Sequence, residues 1–197
     1  MSRPDATQRP DAAVAQAGAG PVLAIQSFVA AGRVGHRAGS FALERLGREV
    51  VQIPTTLLSG HAATPGVAGR KLPATEIEAL LGGVERAGLM PKLSAVLTGY
   101  LGSAETVEVV ARMLTSPAAL GTGQGAGQNA GQGTGQGAGL GMAGTGQGDA
   151  APFAPGIPVL CDPVLGDDGP GLYLPAAVGE AYRRLLLPHV AIATPNA

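Results

Sequence analysis

Pro158-Val159-Leu160-Cys161-Asp162-Pro163-Val164-Leu165-Gly166-Asp167-Asp168-Gly169 sets the fold class: an apolar strand runs straight into a carboxylate, a proline and a glycine turn carrying more carboxylates. Ligands of open parallel sheets sit outside the carboxyl ends of the strands, so Asp162 and Asp167 are expected to face a site and not the core. Three other apolar runs end in small or polar residues in the same way. They are Ala24-Ile25-Gln26-Ser27, Leu97-Thr98-Gly99-Tyr100 and Ile192-Ala193-Thr194-Pro195-Asn196, the last of which is followed only by Ala197.

Working outward, short apolar runs alternate with helical patterns from Val22 onward, the signature of βαβ units. Strands are predicted over Val22–Ser27, Glu49–Ile53, Ser94–Thr98, Val159–Cys161 and Val190–Ala193. Between the first two lies a helix over Gly35–Leu46, with Phe41, Leu43 and Leu46 inward. The stretch 54–72 reads as irregular. Pro73 opens a second helix, running to about Ala87, in which Ile77, Leu80, Leu81 and Val84 share a face. Ser103 caps a third, with Val107, Val110 and Leu114 aligned and Glu105 and Glu108 favoured by the dipole. A fourth spans Ala176–Leu187, burying Val178, Tyr182 and either Leu185 or Leu186. Five strands with right-handed crossovers imply a three-layer α/β/α sandwich around a mainly parallel sheet.

Glycine accounts for 32 of the 197 residues and crowds between residues 121 and 141, where it takes nearly every second position. Such a tract buries too little apolar area to offset its ordering entropy, so about 116–156 reads as a flexible insertion. Residues 1–20 carry Asp5 and Asp11 and no apolar h-region, which reads as a disordered extension and not a signal peptide. The domain proper is then 21–197. With 13 basic and 14 acidic side chains and a net charge of -1, the chain has no electrostatic footprint for nucleic acid or anionic membrane. Cys161, the single cysteine, rules out an internal disulfide and fits a reducing, cytoplasmic setting. No run in the sequence reaches the roughly 20 apolar residues of a membrane span.

Several residues could carry chemistry. Ser27, at the end of a buried strand, could hydrogen-bond a ligand or cap a turn. Gly32 and Gly35 precede a helix, but a full dinucleotide fingerprint is missing. His61 lies in Ser59-Gly60-His61, as either a solvated loop residue or a ligand contact. Tyr100 sits between Gly99 and Leu101-Gly102, free to meet a planar ligand or simply to pack. Asp162 and Asp167 suit a hard cation such as Mg²⁺, bound through one or two carboxylates plus phosphate oxygens, although Asp162 before Pro163 could instead form an Asx turn.

Taken together, Ala24–Ser27, Leu57-Leu58-Ser59-Gly60-His61, Thr98-Gly99-Tyr100-Leu101-Gly102-Ser103-Ala104-Glu105, Cys161–Asp167 and Thr194-Pro195-Asn196 resemble, in order and spacing, the pyridoxal kinases of the ribokinase-like superfamily. The resemblance covers Val22 to the chain end, apart from the glycine tract. It implies transfer of phosphate from ATP to the 5′-hydroxymethyl of pyridoxal, as in vitamin B6 salvage. By this resemblance Ser27, His61 and Tyr100 contact the substrate, and Asp162, Thr194 and Asn196 face the nucleotide. Asp162 and Asp167 hold Mg²⁺ or a monovalent cation, and a homodimer is expected for the full-length family member. The resemblance further places the glycine-rich anion hole and the catalytic aspartate well after the Thr-Pro-Asn strand, so the general base is expected beyond Ala197. The chain as given then corresponds to an N-terminal portion, ends after about five strands and is expected not to turn over. One departure is Ser59-Gly60-His61-Ala62 where the family carries Ser-Asn-His-Thr, because Ala62 has no hydroxyl for the substrate. The alternatives are a hydroxymethylpyrimidine kinase-like enzyme and a non-catalytic pyridoxal-binding fragment.

Overall fold

The computed structural model describes residues 20–115, 157–167 and 171–195. The expected extension over 1–20, except Gly20, and the expected insertion over 116–156 lie outside these residues. Eight strands form among them: β1 (Val22–Val29), β2 (Val50–Leu58), β3 (Gly69–Lys71), β4 (Ala95–Thr98), β5 (Val159–Cys161), β6 (Gly166–Asp167), β7 (Gly171–Leu172) and β8 (Ile192–Ala193). Six of them make the main sheet, in the order β3-β2-β1-β4-β5-β8. All neighbours in it are parallel except β3, which runs antiparallel to β2 at one edge. A separate hairpin pairs β6 with β7.

The five expected strands are the five parallel ones, and β3 is additional. It forms because β2 does not stop at Ile53 but continues through Pro54 to Leu58. The register slips there: Gln26 faces Pro54, whereas Phe28 faces Leu57, so β2 holds one extra residue. A bulge of this kind lets a proline sit inside a paired strand and turns the following side chains. The stretch expected to be irregular therefore divides into the end of β2, a loop and β3.

Four helices pack on this sheet: α1 (His36–Arg45), α2 (Ala74–Arg86), α3 (Ala104–Thr115) and α4 (Ala176–Ala181). The chain steps from β1 to β2 in one direction and from β2 to β4, β5 and β8 in the other. Right-handed crossovers then put α1 on one face and the remaining helices on the opposite face. The main core lies under α2, α3 and α4, where Leu23 and Ile25 of β1 meet Ile77, Leu81, Val107, Val110, Met113, Val178 and Leu186. Leu186 is the buried member of the open pair, and Leu185 is exposed. The Ser103 cap forms as expected, its Oγ accepting from the Thr106 N–H at 3.2 Å.

Two inward faces differ from expectation. In α1, Phe41 is 61 % exposed and Leu46, just past its end, is 77 % exposed. The helix instead buries His36 and Ser40. Its rotation is set where the His36 Nε2 meets the Ile53 carbonyl at 3.1 Å, and where a Cβ on Gly39 would lie 2.7 Å from Gln26 Nε2. The face nearest the sheet is thus the 36–39–40–43 stripe. In α2, Leu80 is likewise exposed, since Ile77 and Leu81 already fill the contact with the core.

Burial holds the His36 imidazole below the ordinary histidine value of 6.5, against a smaller upward pull from the Ile53 carbonyl. A histidine kept neutral by the fold adds stability above that value and loses it as the unfolded chain takes up the proton below it. The melting temperature is expected to fall as pH drops from about 7.5 to about 5.5, and His36→Gln to flatten that slope in thermal scans. An unchanged slope in the variant would show that His36 does not set it.

Candidate functional site

The topology reverses between β1 and β4, and it is at such a point that an open α/β sheet leaves a crevice at its carboxyl edge. Three backbone bonds step across that edge just past the last paired residues: Gly99 N–H to Ile25 O (2.9 Å), Asp162 N–H to Thr98 O (2.8 Å) and Thr194 N–H to Cys161 O (2.9 Å). They set the ends of β4, β5 and β8 beside the point where β1 leaves its pairing with β4; β1 itself runs on beside β2 to Val29, so Ser27 lies within the strand and not at its expected end. Ser27, Tyr100, Asp162 and Thr194, four of the expected site residues, are therefore brought to one edge by strand register alone.

Ser27 is half-buried and does not cap α1: Gly35 precedes that helix, and among the described residues no side chain bonds its start. Gly35 has a φ of 53°, and a Cβ there would strike the Ser27 carbonyl and hydroxyl oxygens. Glycine is what lets the start of α1 close over Ser27. Asp162 is exposed, and its turn is closed by the backbone, Val164 N–H to Asp162 O at 2.9 Å. Although the residue is exposed, the neighbouring atoms strip part of the hydration from its carboxyl, which raises it above the usual aspartate range. An Asx turn is thus not what the carboxylate serves.

Tyr100 packs part of its ring on the core and leaves part accessible. Its turn is held through three carbonyls by three elements. The buried Tyr182 hydroxyl donates to Gly99 O at 2.8 Å, the buried Thr55 hydroxyl to Tyr100 O at 2.6 Å, and the Lys71 ammonium to Gly102 O at 3.1 Å. Burial drives the Tyr182 phenol above the ordinary tyrosine range, so it remains a donor. It stands where α4 widens into a single π-helical turn over Tyr182–Leu186, a widening frequently seen beside functional sites.

His61 lies exposed in the β2–β3 loop, its Nδ1 accepting from the Ala63 N–H at 3.2 Å. That loop is joined to the segment after β1 through Ala31 N–H to Ser59 O at 3.1 Å. No contact among the described residues carries the imidazole itself to Ser27 or Tyr100. Asp167 is placed by its backbone in β6, opposite Gly171, and its side chain is outside the described part of the structure. Asn196 and Ala197 follow Pro195, the last described residue, so the nucleotide-side asparagine and the general base expected beyond Ala197 both lie outside the described residues. Among the described residues no three His, Cys, Asp or Glu side chains gather as a metal cluster, and no helix is long and apolar enough to cross a membrane.

Sequence reasoning passed over Gln26, which is 7 % exposed and whose Nε2 has no hydrogen-bond partner among the described residues. It is enclosed by glycines: a Cβ on Gly99 would lie 2.9 Å from its Cβ. An amide inside an otherwise apolar strand was the available signal. Thr55, Lys71 and Tyr182 were also missed, because each reaches the turn from a distant part of the chain.

No protein-family profile matches the chain. It is similar to the pyridoxal kinase of Rubrobacter xylanophilus, 31 % identical over 183 residues, covering 93 % of this chain and 52 % of that protein. It is also similar to the pyridoxine/pyridoxal/pyridoxamine kinase of Bordetella avium, 30 % identical over 175 residues, covering 89 % and 48 %. Among solved structures, the Leishmania donovani pyridoxal kinase in complex with ADP and pyridoxamine superposes with a TM-score of 0.67 at 31 % identity, covering 89 % of this chain and 50 % of that one. The resemblance read from the motifs is borne out over most of the chain, and so is the ribokinase-like α/β fold. The chain spans about half the length of the curated relatives it matches.

Replacing Tyr182 with Phe strands a buried carbonyl, so Tyr182→Phe is expected to lower stability by about 1–3 kcal/mol in chemical denaturation. Unchanged stability would remove Tyr182 from the scaffold of the Tyr100 turn.

Proposed function

We propose that this chain forms the ring-binding and phosphate-facing side of a pyridoxal kinase-type phosphotransferase. The observation that carries the proposal is that Ser27 and Tyr100 flank the topological switch point, with Asp162 and Thr194 following the next two strands on the same side of the sheet, in a chain whose relatives are named pyridoxal kinases. The Ser27 hydroxyl hydrogen-bonds the pyridine ring and Tyr100 lies against it. His61 belongs to the segment that closes over the substrate, with Ala62 leaving that segment one hydroxyl poorer. Thr194 and Asn196 line the nucleotide side.

In the reaction the γ-phosphorus of ATP forms a bond to the 5′-oxygen of pyridoxal as its bond to the β,γ-bridging oxygen breaks. ADP leaves, and the hydroxyl proton passes to a base that no residue up to Ala197 is assigned. Catalysis of this kind rests on positioning and charge neutralisation. The donor set fits Mg²⁺, which takes one or two carboxylates and completes its shell with phosphate oxygens and waters. Asp162 would hold it with Asp167, which could also serve a monovalent cation, and the metal would neutralise charge on the phosphates. A cytoplasmic homodimer completes the proposal.

Calorimetric titration of the 197-residue chain tests it. Pyridoxal is expected to bind, and Ser27→Ala to weaken it about three- to tenfold, the value of one neutral hydrogen bond. Asp162→Asn is expected to abolish Mg²⁺-dependent ATP binding. Because burial raises the Asp162 carboxyl, its ionised form weakens the fold as pH rises through that raised value, so Asp162→Asn should melt at an equal or higher temperature near pH 7. Absence of pyridoxal binding, or retention of metal-dependent ATP binding in Asp162→Asn, would refute the proposal.

A further inference from the structure

Lys71 ends the short antiparallel strand β3, a place where lysine ordinarily serves to discourage strand addition by pointing into water. Here the residue is exposed, yet its ammonium lies against the turn that follows β4. It lies 5.9 Å from the centroid of the Tyr100 ring and donates to the Gly102 carbonyl at 3.1 Å. Gly102 has a φ of 82°, and a Cβ built on it would meet Tyr100 Cε1 at 3.3 Å and Lys71 Cδ at 3.7 Å. The bare glycine thus leaves room for the lysine stem and the tyrosine ring on either side of it.

We propose that Lys71 is a positioning residue for ring recognition: its ammonium, fixed by the Gly102 carbonyl, holds the Tyr100 ring as a standing wall of the site. This rests on the proposed binding of a pyridine ring against Tyr100. The backbone of the turn is already fixed at Gly99 and Tyr100 by Tyr182 and Thr55, and one part of the ring packs on the core, so the freedom left at this turn is largely that of the ring's accessible part. A cation over an aromatic face is attracted to the ring quadrupole, which favours the ring orientation that presents its face to the ammonium. Ordering that ring before the ligand arrives lowers the entropy lost on binding. The same strand follows directly on the loop carrying His61, so Lys71 also links the position of that loop's far end to the ring wall.

Two measurements separate this role from simple edge protection and from the functional proposal itself. The first needs no ligand. The chain has three tyrosines and no tryptophan, so the near-ultraviolet circular dichroism contribution of Tyr100 can be assigned as the part lost in Tyr100→Leu. Lys71→Met is expected to diminish that contribution and Lys71→Arg to restore it. The second is titration with pyridoxal. Lys71→Met is expected to weaken binding about fivefold, Lys71→Arg to return it to within about twofold of wild type, and Lys71→Met to have no further effect in a Tyr100→Leu background.

The inference is overturned if Lys71→Met leaves the Tyr100 signal or the affinity unchanged, if arginine fails to restore them, or if the loss persists without Tyr100. Should the wild-type chain bind no pyridoxal, the functional proposal falls. The ligand-free signal then decides the positioning role, supporting it if it responds to Lys71→Met and is restored by arginine, and overturning it otherwise.

Discussion

The handedness of the crossovers governs this molecule. Since a right-twisted strand accepts a parallel partner almost only through a right-handed connection, a chain that leaves β1 for β2 and then returns to place β4 on the other side must switch faces. It must also leave a gap in helix cover where the two directions part. That gap opens where β1 and β4 part, and the ends of β4, β5 and β8 are held in line with that point by backbone bonds from one strand to the next. The side chains there are therefore placed by backbone bonds, which do not depend on the identity of the residues that make them.

The bulge in β2 is the second determinant. Without the extra residue beside Pro54, the strand would keep its register and Thr55 would fall out of step with its neighbours on β1. With it, the Thr55 hydroxyl reaches the Tyr100 carbonyl and the strand continues far enough to recruit β3, which brings Lys71 to the same turn. Tyr182 arrives from the core, out of the π-helical turn that it begins. One short turn is thus anchored by side chains from an edge hairpin and a helix on the core side.

Much of this was legible in the sequence, and the boundary of legibility is physical. The ends of β4 and β5 could be read because apolar runs that stop at Thr98 and before Asp162 are local to each run, whereas β1 continues two residues past the expected end at Ser27, to the buried Val29. Helices α2 and α3 could be read because their apolar spacing matches the core they face. Helix α1 could not be oriented, because its rotation depends on a polar contact between His36 and Ile53 and on a close approach at Gly39, neither of which a hydrophobic pattern records. Proline at position 54 hid the continuation of β2, since a bulge is a relation between two strands and not a property of one. The same holds for the carbonyl anchors of the Tyr100 turn, whose donors lie 45, 31 and 83 residues away.

Gln26 shows what such relations cost a lineage. Its amide is enclosed between Gly39 on α1 and Gly99 after β4, with hypothetical methyl groups at either glycine falling within 3.0 Å of it. A larger residue at 39 would have to displace the end of the Gln26 side chain, whereas one at 99 would press on its fixed Cβ, so the tighter coupling is between 26 and 99. Three sites separated by up to 73 residues of sequence thereby become one heritable unit. A substitution at any one of the three is therefore felt at the other two, through packing alone.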